Sequence, residues 1–218
     1  MEVRVIALYN VSKKYHQDVL KNINLQISQG EQCVILGKSG SGKSTLLYLI
    51  GGMERCNSGE IVCFKRTLNQ MDDTGLAAYR KAFVGFIFQF HFLLPTMSAW
   101  DNIVLPLKLS NKPIDRDKIF QYAKDVGIDK LIHKHPYELS GGEQQRVSLL
   151  RAIMLEPPLI LCDEPTGNLD SHHSAKVIEL LQYFAKKLQS TLLIVTHDQD
   201  IAVRFNRKIR IEDGSLFS

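Results

Sequence analysis

The chain has 218 residues, of which 44% are hydrophobic and 23% are charged, and its formal net charge at pH 7 is +4. A chain of this size can build one substantial core and a smaller appended lobe. Lysine and arginine are scattered, and no apolar run approaches the roughly 18 residues of a membrane-spanning helix, which argues against nucleic-acid binding and direct membrane insertion. The cysteines lack C-x-x-C spacing and the N-terminus lacks a signal-peptide pattern, so we expect a cytoplasmic protein with free thiols.

The predicted strands are of two kinds. The stretches "VRVIALY" and "NINLQI" alternate apolar and polar residues, and this alternation predicts two half-buried antiparallel strands near the N-terminus. The stretches "QCVIL", "PLILC" and "TLLIV" are short continuous apolar runs, which are typical of strands buried on both faces of a largely parallel sheet. The tail "IRIEDGSLFS" contains an Asp-Gly turn and predicts a short hairpin.

Helical patterns lie between these strands. One begins near Ser44 and ends at Gly51 and Gly52, a second covers roughly 141–156, and a third covers roughly 174–189. This order of strands and helices predicts an α/β fold.

The middle of the chain contains an insertion. The stretch from the first helix to "PLILC" is far longer than one βαβ crossover requires, and it includes the helical pattern "DRDKIFQYAKDVGI". We therefore predict a single domain whose core takes in roughly 1–84 and 157–218, with a helical lobe at roughly 85–156.

The stretch "GKSGSGKST" (37–45) matches the P-loop pattern G-x-x-x-x-G-K-[ST] between a predicted strand and a predicted helix. Glycines let successive backbone N–H groups surround a phosphate, and the helix that follows points its N-terminal end at the same oxygens. We expect Lys43 to reach the β- and γ-phosphates and the Ser44 hydroxyl to bind Mg²⁺. A flexible Gly/Ser linker would not explain the Lys-Ser pair at this spacing. The predicted phosphate-binding residues are Gly37, Lys38, Ser39, Gly40, Ser41, Gly42, Lys43, Ser44 and Thr45.

Two adjacent carboxylates, Asp163 and Glu164, follow the buried run "LILC". Burying two adjacent carboxylates is energetically costly unless each forms an ion pair or hydrogen bonds, or lies near a cation. Asp163 suits a Mg²⁺ ligand, and Glu164 suits a general base that orients the attacking water. The alternative is a helix-capping pair with a turn at Pro165.

The stretch "LSGGEQQRV" (139–147) predicts a helix start, because Ser140 and Glu143 form an S-x-x-E capping box. The capping box does not explain Gly141 and Gly142, which disfavour a helix start unless another backbone or ligand approaches closely. A glycine-rich helix N-terminus is an anion site. Two such sites in one chain suggest that the second serves a neighbour's nucleotide.

The motifs "GKSGSGKST", "LSGGE", "LILCDEP", "GNLD" and "TH", in this order, resemble the nucleotide-binding subunits of ABC transporters over nearly the whole chain. The resemblance implies a P-loop NTPase core of mostly parallel sheet flanked by helices, an antiparallel β subdomain and an inserted helical lobe. It also implies that two copies sandwich two ATP molecules, and that Ser140, Gly141 and Gly142 contact the γ-phosphate bound by the partner chain.

The same resemblance implies roles for four further residues. Gln89 matches a glutamine that contacts Mg²⁺ and the attacking water, and His197 matches a switch histidine on the γ-phosphate. Asp170 matches a loop that crosses to the other subunit, and Tyr15 matches the aromatic residue that stacks on adenine. Many family members have Gln where this chain has Glu143, but the subfamily considered next commonly shows Glu.

Stretches 84–107 and 163–170 are most similar to the subfamily that contains lipoprotein-releasing (LolD-like), macrolide-exporter and cell-division ATPases, and "FQFHFLLP" is closest to the lipoprotein-releasing type. The resemblance implies a peripheral protein on the cytoplasmic face of the inner membrane, docked near 84–107 to integral membrane permease subunits. The apolar residues there exceed what a solvated loop needs, although some would pack inside the lobe. They are Phe90, Phe92, Leu93, Leu94 and Leu105.

The expected function is ATP hydrolysis that powers membrane subunits, with lipoprotein release as the favoured role. A macrolide or peptide exporter and a cell-division complex are the alternatives within the subfamily. A soluble ABC ATPase would share the motifs, but such proteins usually carry two cassettes or a long coiled-coil insertion. A P-loop kinase would keep the P-loop but has no use for "LSGGE" or His197.

Overall fold

The computed structural model of the chain describes residues 3–167 and 169–217. Asn168 of the "GNLD" motif and the side chains of Ser171 and His172 lie outside the described residues. The strands are β1 Arg4–Lys14, β2 Asp18–Ser28, β3 Gln32–Leu36, β4 Ser58–Cys63, β5 Arg66–Thr67, β6 Val84–Ile87, β7 Leu159–Asp163, β8 Thr191–Thr196, β9 Arg207–Glu212 and β10 Ser215–Phe217. The α-helices are α1 Lys43–Ile50, α2 Asp73–Phe83, α3 Ala99–Leu109, α4 Arg116–Asp125, α5 Gly141–Ile153, α6 Ser171–Lys187 and α7 Gln199–Ala202.

A six-stranded sheet with the order β10-β9-β3-β8-β7-β6 carries the nucleotide-binding motifs. Its strands β9, β3, β8, β7 and β6 run parallel, and β10 returns antiparallel to β9 as the predicted hairpin. Every residue of β7 and β8 is buried, as expected for continuous apolar strands covered on both faces. The predicted parallel core is confirmed.

A second, four-stranded sheet has the order β2-β1-β4-β5 and is antiparallel throughout. Its longest strands, β1 and β2, are the two alternating stretches near the N-terminus. This sheet is the antiparallel subdomain that the family resemblance implied, so the predicted fold class is confirmed.

Helix α1 and the antiparallel sheet pack on one side of the six-stranded sheet. The buried leucines and isoleucine of α1 (Leu46, Leu47, Leu49 and Ile50) share one apolar cluster with strands of both sheets. Burying a side chain of this size stabilises the fold by about 1.5–3 kcal/mol. The packing therefore holds the start of α1 in place directly after β3.

Helices α3, α5 and α6 belong to a second apolar cluster, which also includes buried residues of α4. The predicted helices near 141–156, 174–189 and in "DRDKIFQYAKDVGI" are confirmed as α5, α6 and α4. Strand β6, which pairs with β7, precedes α3 to α5 in the chain. Within the described ranges, none of the helices combines the length and apolar composition that a bilayer span requires.

Candidate nucleotide-binding site

A cleft of about 810 Å³ opens at the carboxyl end of the parallel strands, where β3 passes into α1. Ligands of open α/β sheets bind at this edge. The structure brings twelve of the predicted residues into the lining of the cleft: Tyr15, Gly37, Lys38, Ser39, Gly40, Gly42, Lys43, Ser44, Thr45, Gln89, Glu164 and His197. Sequence reasoning missed five others, namely Val19, Leu36, Gln199, Arg210 and Glu212.

At two P-loop positions only glycine fits, because a backbone carbonyl oxygen from another part of the chain lies too close for a Cβ atom. A Cβ at Gly37 would lie 2.4 Å from the Ile211 carbonyl oxygen, and one at Gly42 would lie 2.8 Å from the Val19 carbonyl oxygen. Gly42 also has a φ of +101°, which other residues rarely adopt. The predicted residue Ser41 is buried, and its Oγ would lie 2.5 Å from a Cβ at Gly37, so this side chain supports the loop from inside.

Lys43 begins α1 and its ammonium group is enclosed by oxygens. Its Nζ donates hydrogen bonds of 2.9 Å to the carbonyl oxygens of Gly37 and Lys38, and it lies 3.7 Å from Glu164 Oε1. The side chain is buried, and a buried charge needs such partners. The arrangement places a positive charge on the floor of the cleft.

Asp163, the last residue of β7, uses both carboxylate oxygens. Ser44 Oγ donates to Oδ1 and Tyr48 Oη donates to Oδ2, each at 2.8 Å. Burial, followed by this hydrogen bond, raises the pKa of Tyr48 well above its ordinary value. Sequence reasoning missed Tyr48, although its spacing of four residues from Ser44 places both on one face of α1.

Glu164 is held at the end of β7 in a left-handed backbone conformation, with a φ of +45°. Its N–H donates to the Val195 carbonyl oxygen, and its Oε2 accepts from Thr196 Oγ1, both at 3.0 Å. Its Oε1 lies 3.0 Å from His197 Nδ1. The side chain is only 14% exposed, so its carboxylate is fixed between β8 and the cleft.

The alternative of a helix-capping pair does not fit these contacts. The Asp163 carboxylate is bonded to two side chains of α1, and the Glu164 carboxylate is bonded to residues that end or follow β8. The next helix, α6, is capped instead by Asp170, which accepts from the His173 N–H.

Gln89 reaches the cleft from the loop that follows β6. Its side-chain nitrogen lies 2.7 Å from the position that a Cβ at Gly167 would occupy. Gly167 therefore leaves the room that Gln89 takes, and sequence reasoning missed this dependence. Tyr15 lies at the edge of the cleft with an exposed ring, and Lys13 Nζ is 4.7 Å from the ring centroid.

Ser140, Gly141, Gly142 and Asp170 lie outside the lining of this cleft. Ser140 Oγ accepts from the Glu143 N–H at 3.3 Å, and the Ser140 N–H donates to Glu143 Oε2 at 2.7 Å, so the predicted capping box is confirmed. The backbone hydrogen bond from Ser140 lowers the pKa of Glu143.

The two glycines at the start of α5 face ordinary surroundings within the chain. A Cβ at Gly141 would lie 3.8 Å from Leu169 Cδ2, and one at Gly142 would lie 3.5 Å from His173 Cδ2. Both distances are normal van der Waals contacts, so packing within the chain does not require glycine at either position. The loop that carries Leu169 and Asp170 lies beside the start of α5.

Comparison with known proteins agrees with this geometry. The family model described as ABC transporter matches residues 20–167. The lipoprotein-releasing system ATP-binding protein LolD of Francisella tularensis is 40% identical over 220 residues, which cover 97% of this chain and 95% of that protein. LolD of Legionella pneumophila is 38% identical over 221 residues, covering 98% of this chain and 97% of that protein.

A solved structure of the ATP-binding cassette MJ0796, a dimer in a post-hydrolysis state bound to ADP and Pi, is 35% identical to this chain with a TM-score of 0.87. The likeness covers 98% of this chain and 97% of that one. The family match, the P-loop and the carboxylates beside it lead to one conclusion. The chain belongs to the ABC transporter family, as an ATP-binding subunit that hydrolyses ATP.

Proposed function

We propose that two copies of this chain enclose two ATP molecules, each held by the P-loop of one copy and by Ser140, Gly141 and Gly142 of the other. The observation that carries the proposal is the position of the α5 start, which lies outside its own cleft and carries glycines that its own chain does not require. Backbone N–H groups at a helix start favour phosphate oxygens. The dimeric state of MJ0796 supports the same arrangement.

Magnesium fits the donor set around Asp163. Ser44 Oγ and the Asp163 carboxylate supply hard oxygen donors 2.8 Å apart, and the Gln89 amide lines the same cleft. Ser44, Asp163 and Gln89 are the proposed ligands. When bound, the ion neutralises charge on the β- and γ-phosphates of ATP.

Glu164 is the proposed general base. Its fixed carboxylate takes a proton from the attacking water, whose oxygen bonds to the γ-phosphorus while the bond from that phosphorus to the β–γ bridging oxygen breaks, so that ADP leaves and inorganic phosphate forms. His197, 3.0 Å from Glu164 Oε1, orients that carboxylate and reaches toward the γ-phosphate from the rim of the cleft. Lys43 stabilises the negative charge on the transferred group.

The remaining predicted residues complete nucleotide binding. The backbone N–H groups of residues 37–45 surround the phosphates, and the exposed ring of Tyr15 stacks on adenine. Asp170, at the start of α6 beside α5, contacts the second copy. In this proposal the helical lobe of roughly 85–156 moves with ATP binding relative to the core.

Membrane permease subunits are the proposed partners, docked on the exposed apolar residues after Gln89. Phe90 is 65% exposed, Phe92 is 61% exposed and Leu94 is also exposed, whereas Leu93 packs against the core and Leu105 is half-buried. The apolar residues near 84–107 therefore divide between an outward surface and the interior. Three neighbouring exposed apolar side chains favour a binding site over a solvated loop.

Lipoprotein release is the proposed transport role, and the proposed location is the cytoplasmic face of the inner membrane. Two near full-length relatives at about 40% identity are named as lipoprotein-releasing ATPases, which supports this role. Closure of the ATP-bound dimer would move the helical lobes and the membrane subunits docked on them, and hydrolysis would reopen it.

The dimer is tested with a Glu164→Gln variant, which retains ATP but lacks the base. We expect the variant to change from monomer to dimer on addition of ATP and Mg²⁺ in light scattering coupled to size-exclusion chromatography. A Glu164→Gln/Gly141→Arg variant is the matched control, because Gly141 is exposed and a bulky side chain there blocks the approach of the phosphate held by the second copy. A Glu164→Gln chain that stays monomeric at saturating ATP and Mg²⁺ contradicts the sandwich.

The transport role is tested by recovering tagged protein from detergent-solubilised membranes and identifying co-purifying chains by mass spectrometry. A pair of multi-span proteins with large extracytoplasmic domains supports lipoprotein release. A single such protein indicates a macrolide or peptide exporter or a cell-division complex instead. Recovery of soluble partners alone contradicts the transporter role.

A further inference from the structure

A row of four aromatic rings runs from Tyr48, which is hydrogen-bonded to Asp163, to the protein surface at Phe92. The ring centroids of Tyr48 and Phe86 are 5.8 Å apart, those of Phe86 and Phe88 are 4.3 Å apart, and those of Phe88 and Phe92 are 5.1 Å apart. The middle pair is stacked and the outer pair meets edge to face. The rings belong to α1, β6 and the loop that directly follows β6, so the row joins two separate segments of the chain.

The inner end of the row is anchored on the carboxylate proposed to hold Mg²⁺. Tyr48 Oη donates to Asp163 Oδ2 at 2.8 Å, while Oδ1 accepts from Ser44. Because Tyr48 occupies one oxygen, it fixes the rotation of the Asp163 carboxylate and thereby the direction in which Oδ1 points. A shift of the Tyr48 ring would release that rotation.

The packing around Phe86 keeps the inner half of the row in place. Phe86 lies on β6, opposite Leu161 of the buried strand β7 that ends in Asp163. A Cβ at Gly51 would lie only 3.1 Å from Phe86 Cε2, so the glycine that ends α1 leaves the space that this ring fills.

The outer end of the row is held by the helix that begins at Ser140. Arg151 of α5 donates hydrogen bonds of 2.6 Å to the carbonyl oxygens of His91 and Phe92. Both acceptor residues have left-handed backbone conformations, with φ values of +41° and +46°. The Phe92 ring is therefore presented to solvent by a fixed backbone turn while one edge contacts Phe88.

We propose that Tyr48 is a positioning residue for Asp163, and that the rings of Phe86, Phe88 and Phe92 couple its position to a membrane permease subunit bound at segment 90–94. The inference rests on the proposed function of the site, because it takes Asp163 as a Mg²⁺ ligand. A permease subunit pressed against Phe92 shifts the row, and the Tyr48 hydroxyl then changes the orientation of the Asp163 carboxylate. Packed rings transmit such shifts because they repack between discrete arrangements instead of deforming smoothly.

The inner half of the inference is tested with Tyr48→Phe, which removes the hydroxyl and keeps the ring. We expect the Mg²⁺ concentration for half-maximal ATP hydrolysis to rise about 10-fold, at the lower end of the effect of outer-shell substitutions at metal sites, with KM for ATP at saturating Mg²⁺ unchanged within about twofold. Tyr9→Phe, an exposed position in β1, is the matched control. An unchanged Mg²⁺ midpoint in Tyr48→Phe overturns the role of Tyr48.

The coupling is tested by amide hydrogen exchange in the Glu164→Gln background. With ATP present, addition of Mg²⁺ should change the exchange rates of amides in segment 90–94, and Tyr48→Phe or Phe88→Leu should abolish that change. Phe64→Leu is the matched control for Phe88→Leu, because Phe64 stacks on Phe83 at 4.9 Å in a ring pair that includes no member of the row. A Mg²⁺ response at segment 90–94 that persists in both row variants overturns the coupling.

A double-variant comparison separates coupling from simple destabilisation. If the row acts as one unit, Tyr48→Phe/Phe88→Leu shifts the Mg²⁺ midpoint no further than Tyr48→Phe alone, whereas independent effects would multiply. Phe92→Leu, at an exposed position, replaces Phe88→Leu if thermal unfolding shows that the latter is unfolded. ATP-driven dimerisation of the Glu164→Gln chain distinguishes a failure of the aromatic coupling from a failure of the proposed function. If the chain dimerises but the row variants have no effect, the coupling is refuted and the proposed function stands.

Discussion

In the nucleotide cleft the polar side chains are held by partners within the chain, whereas Gly141 at the start of α5 and three apolar side chains of segment 90–94 are exposed to solvent. Lys43, Ser44 and Glu164 each contact oxygens or side chains of neighbouring elements. At the start of α5, Ser140 and Glu143 hydrogen-bond to each other, and between them Gly141 is exposed whereas Gly142 is buried. Phe90 and Phe92 extend into solvent.

The difference separates what one folded chain determines from what an assembly must supply. Substitutions in the cleft should act on the isolated chain, because its geometry depends on contacts within that chain. Substitutions of the exposed residues Gly141 and Phe90 should leave the isolated chain nearly unchanged and act when a second protein binds.

The largest effect is expected from Lys43→Ala. The change removes the positive charge from the floor of the cleft and leaves the buried Glu164 carboxylate without its nearby cation. We expect kcat for ATP hydrolysis by the isolated chain to fall by about 10³-fold or more, which corresponds to about 4 kcal/mol of transition-state stabilisation. Phosphate release at saturating ATP measures it.

Lys21→Ala, an exposed position in β2, is the matched control and should keep its activity within about twofold. If Lys43→Ala hydrolyses ATP at the parent rate, the cleft is not the site of hydrolysis.

A Gly37→Ala and Gly141→Ala pair tests the same comparison through stability. A Cβ at position 37 would meet backbone and side-chain atoms of Ile211 at 2.4–2.7 Å, so the loop must shift. We expect this shift to lower the free energy of unfolding by about 2–3 kcal/mol. The nearest atom to a Cβ at position 141 is 3.8 Å away, so we expect a change within about 0.5 kcal/mol. Urea unfolding of the isolated chain measures both.

The second half of that test uses ATP-driven dimerisation in the Glu164→Gln background. Gly141→Ala should weaken the dimer although the monomer is as stable as the parent. If the two alanine variants lose the same stability, or if the Gly141→Ala dimer is as tight as the parent dimer, then Gly37 and Gly141 do not have the different roles proposed for them.

Much of the inward-facing region could be predicted because its signals are local. The strands β3, β7 and β8 are continuous apolar runs, and the P-loop is one uninterrupted motif that ends in Lys43 and Ser44. The Ser140–Glu143 capping box likewise spans four consecutive residues. Each signal requires only short-range geometry, which the order of residues specifies directly.

Contacts between distant parts of the chain could not be predicted in this way. Tyr48 and Asp163 are 115 positions apart, and nothing near Tyr48 distinguishes it from a core tyrosine. The helix α2 was missed although Leu76, Tyr79 and Phe83 recur at helical spacing. The space that Gly167 leaves for Gln89 exists only after β6 and β7 have paired.

A smaller effect, limited to the assembly, is expected from Phe90→Ser. The side chain is 65% exposed, so its loss should leave ATP hydrolysis by the isolated chain within about twofold of the parent. Recovery of membrane partners on tagged protein should fall about tenfold, since a central aromatic contact is commonly worth more than 1 kcal/mol of binding. Leu109→Ser, at the exposed end of α3, is the control. Equal partner recovery by Phe90→Ser and the parent would move the docking site away from segment 90–94.

The smallest effect is expected from Glu143→Gln, which alters the capping box without touching the cleft. The Ser140 backbone N–H lowers the pKa of Glu143 below the ordinary value of 4.5, so the stabilisation is complete above that value and is lost as the pH falls through the folded-state pKa. At pH 7 the free energy of unfolding of the variant should be about 0.5 kcal/mol lower than that of the parent.

That gap should stay constant at neutral pH and narrow as the pH falls below 4.5, when the parent's carboxylate takes up its proton. Urea unfolding of both chains across this range measures it, with Glu60→Gln in β4 as the exposed control. A gap that persists unchanged at the acidic end would mean that the Glu143 charge does not act through Ser140. The box is closed within one chain, so the same gap should appear with and without nucleotide, in contrast to Gly141→Ala, whose effect should appear only in the ATP-bound dimer.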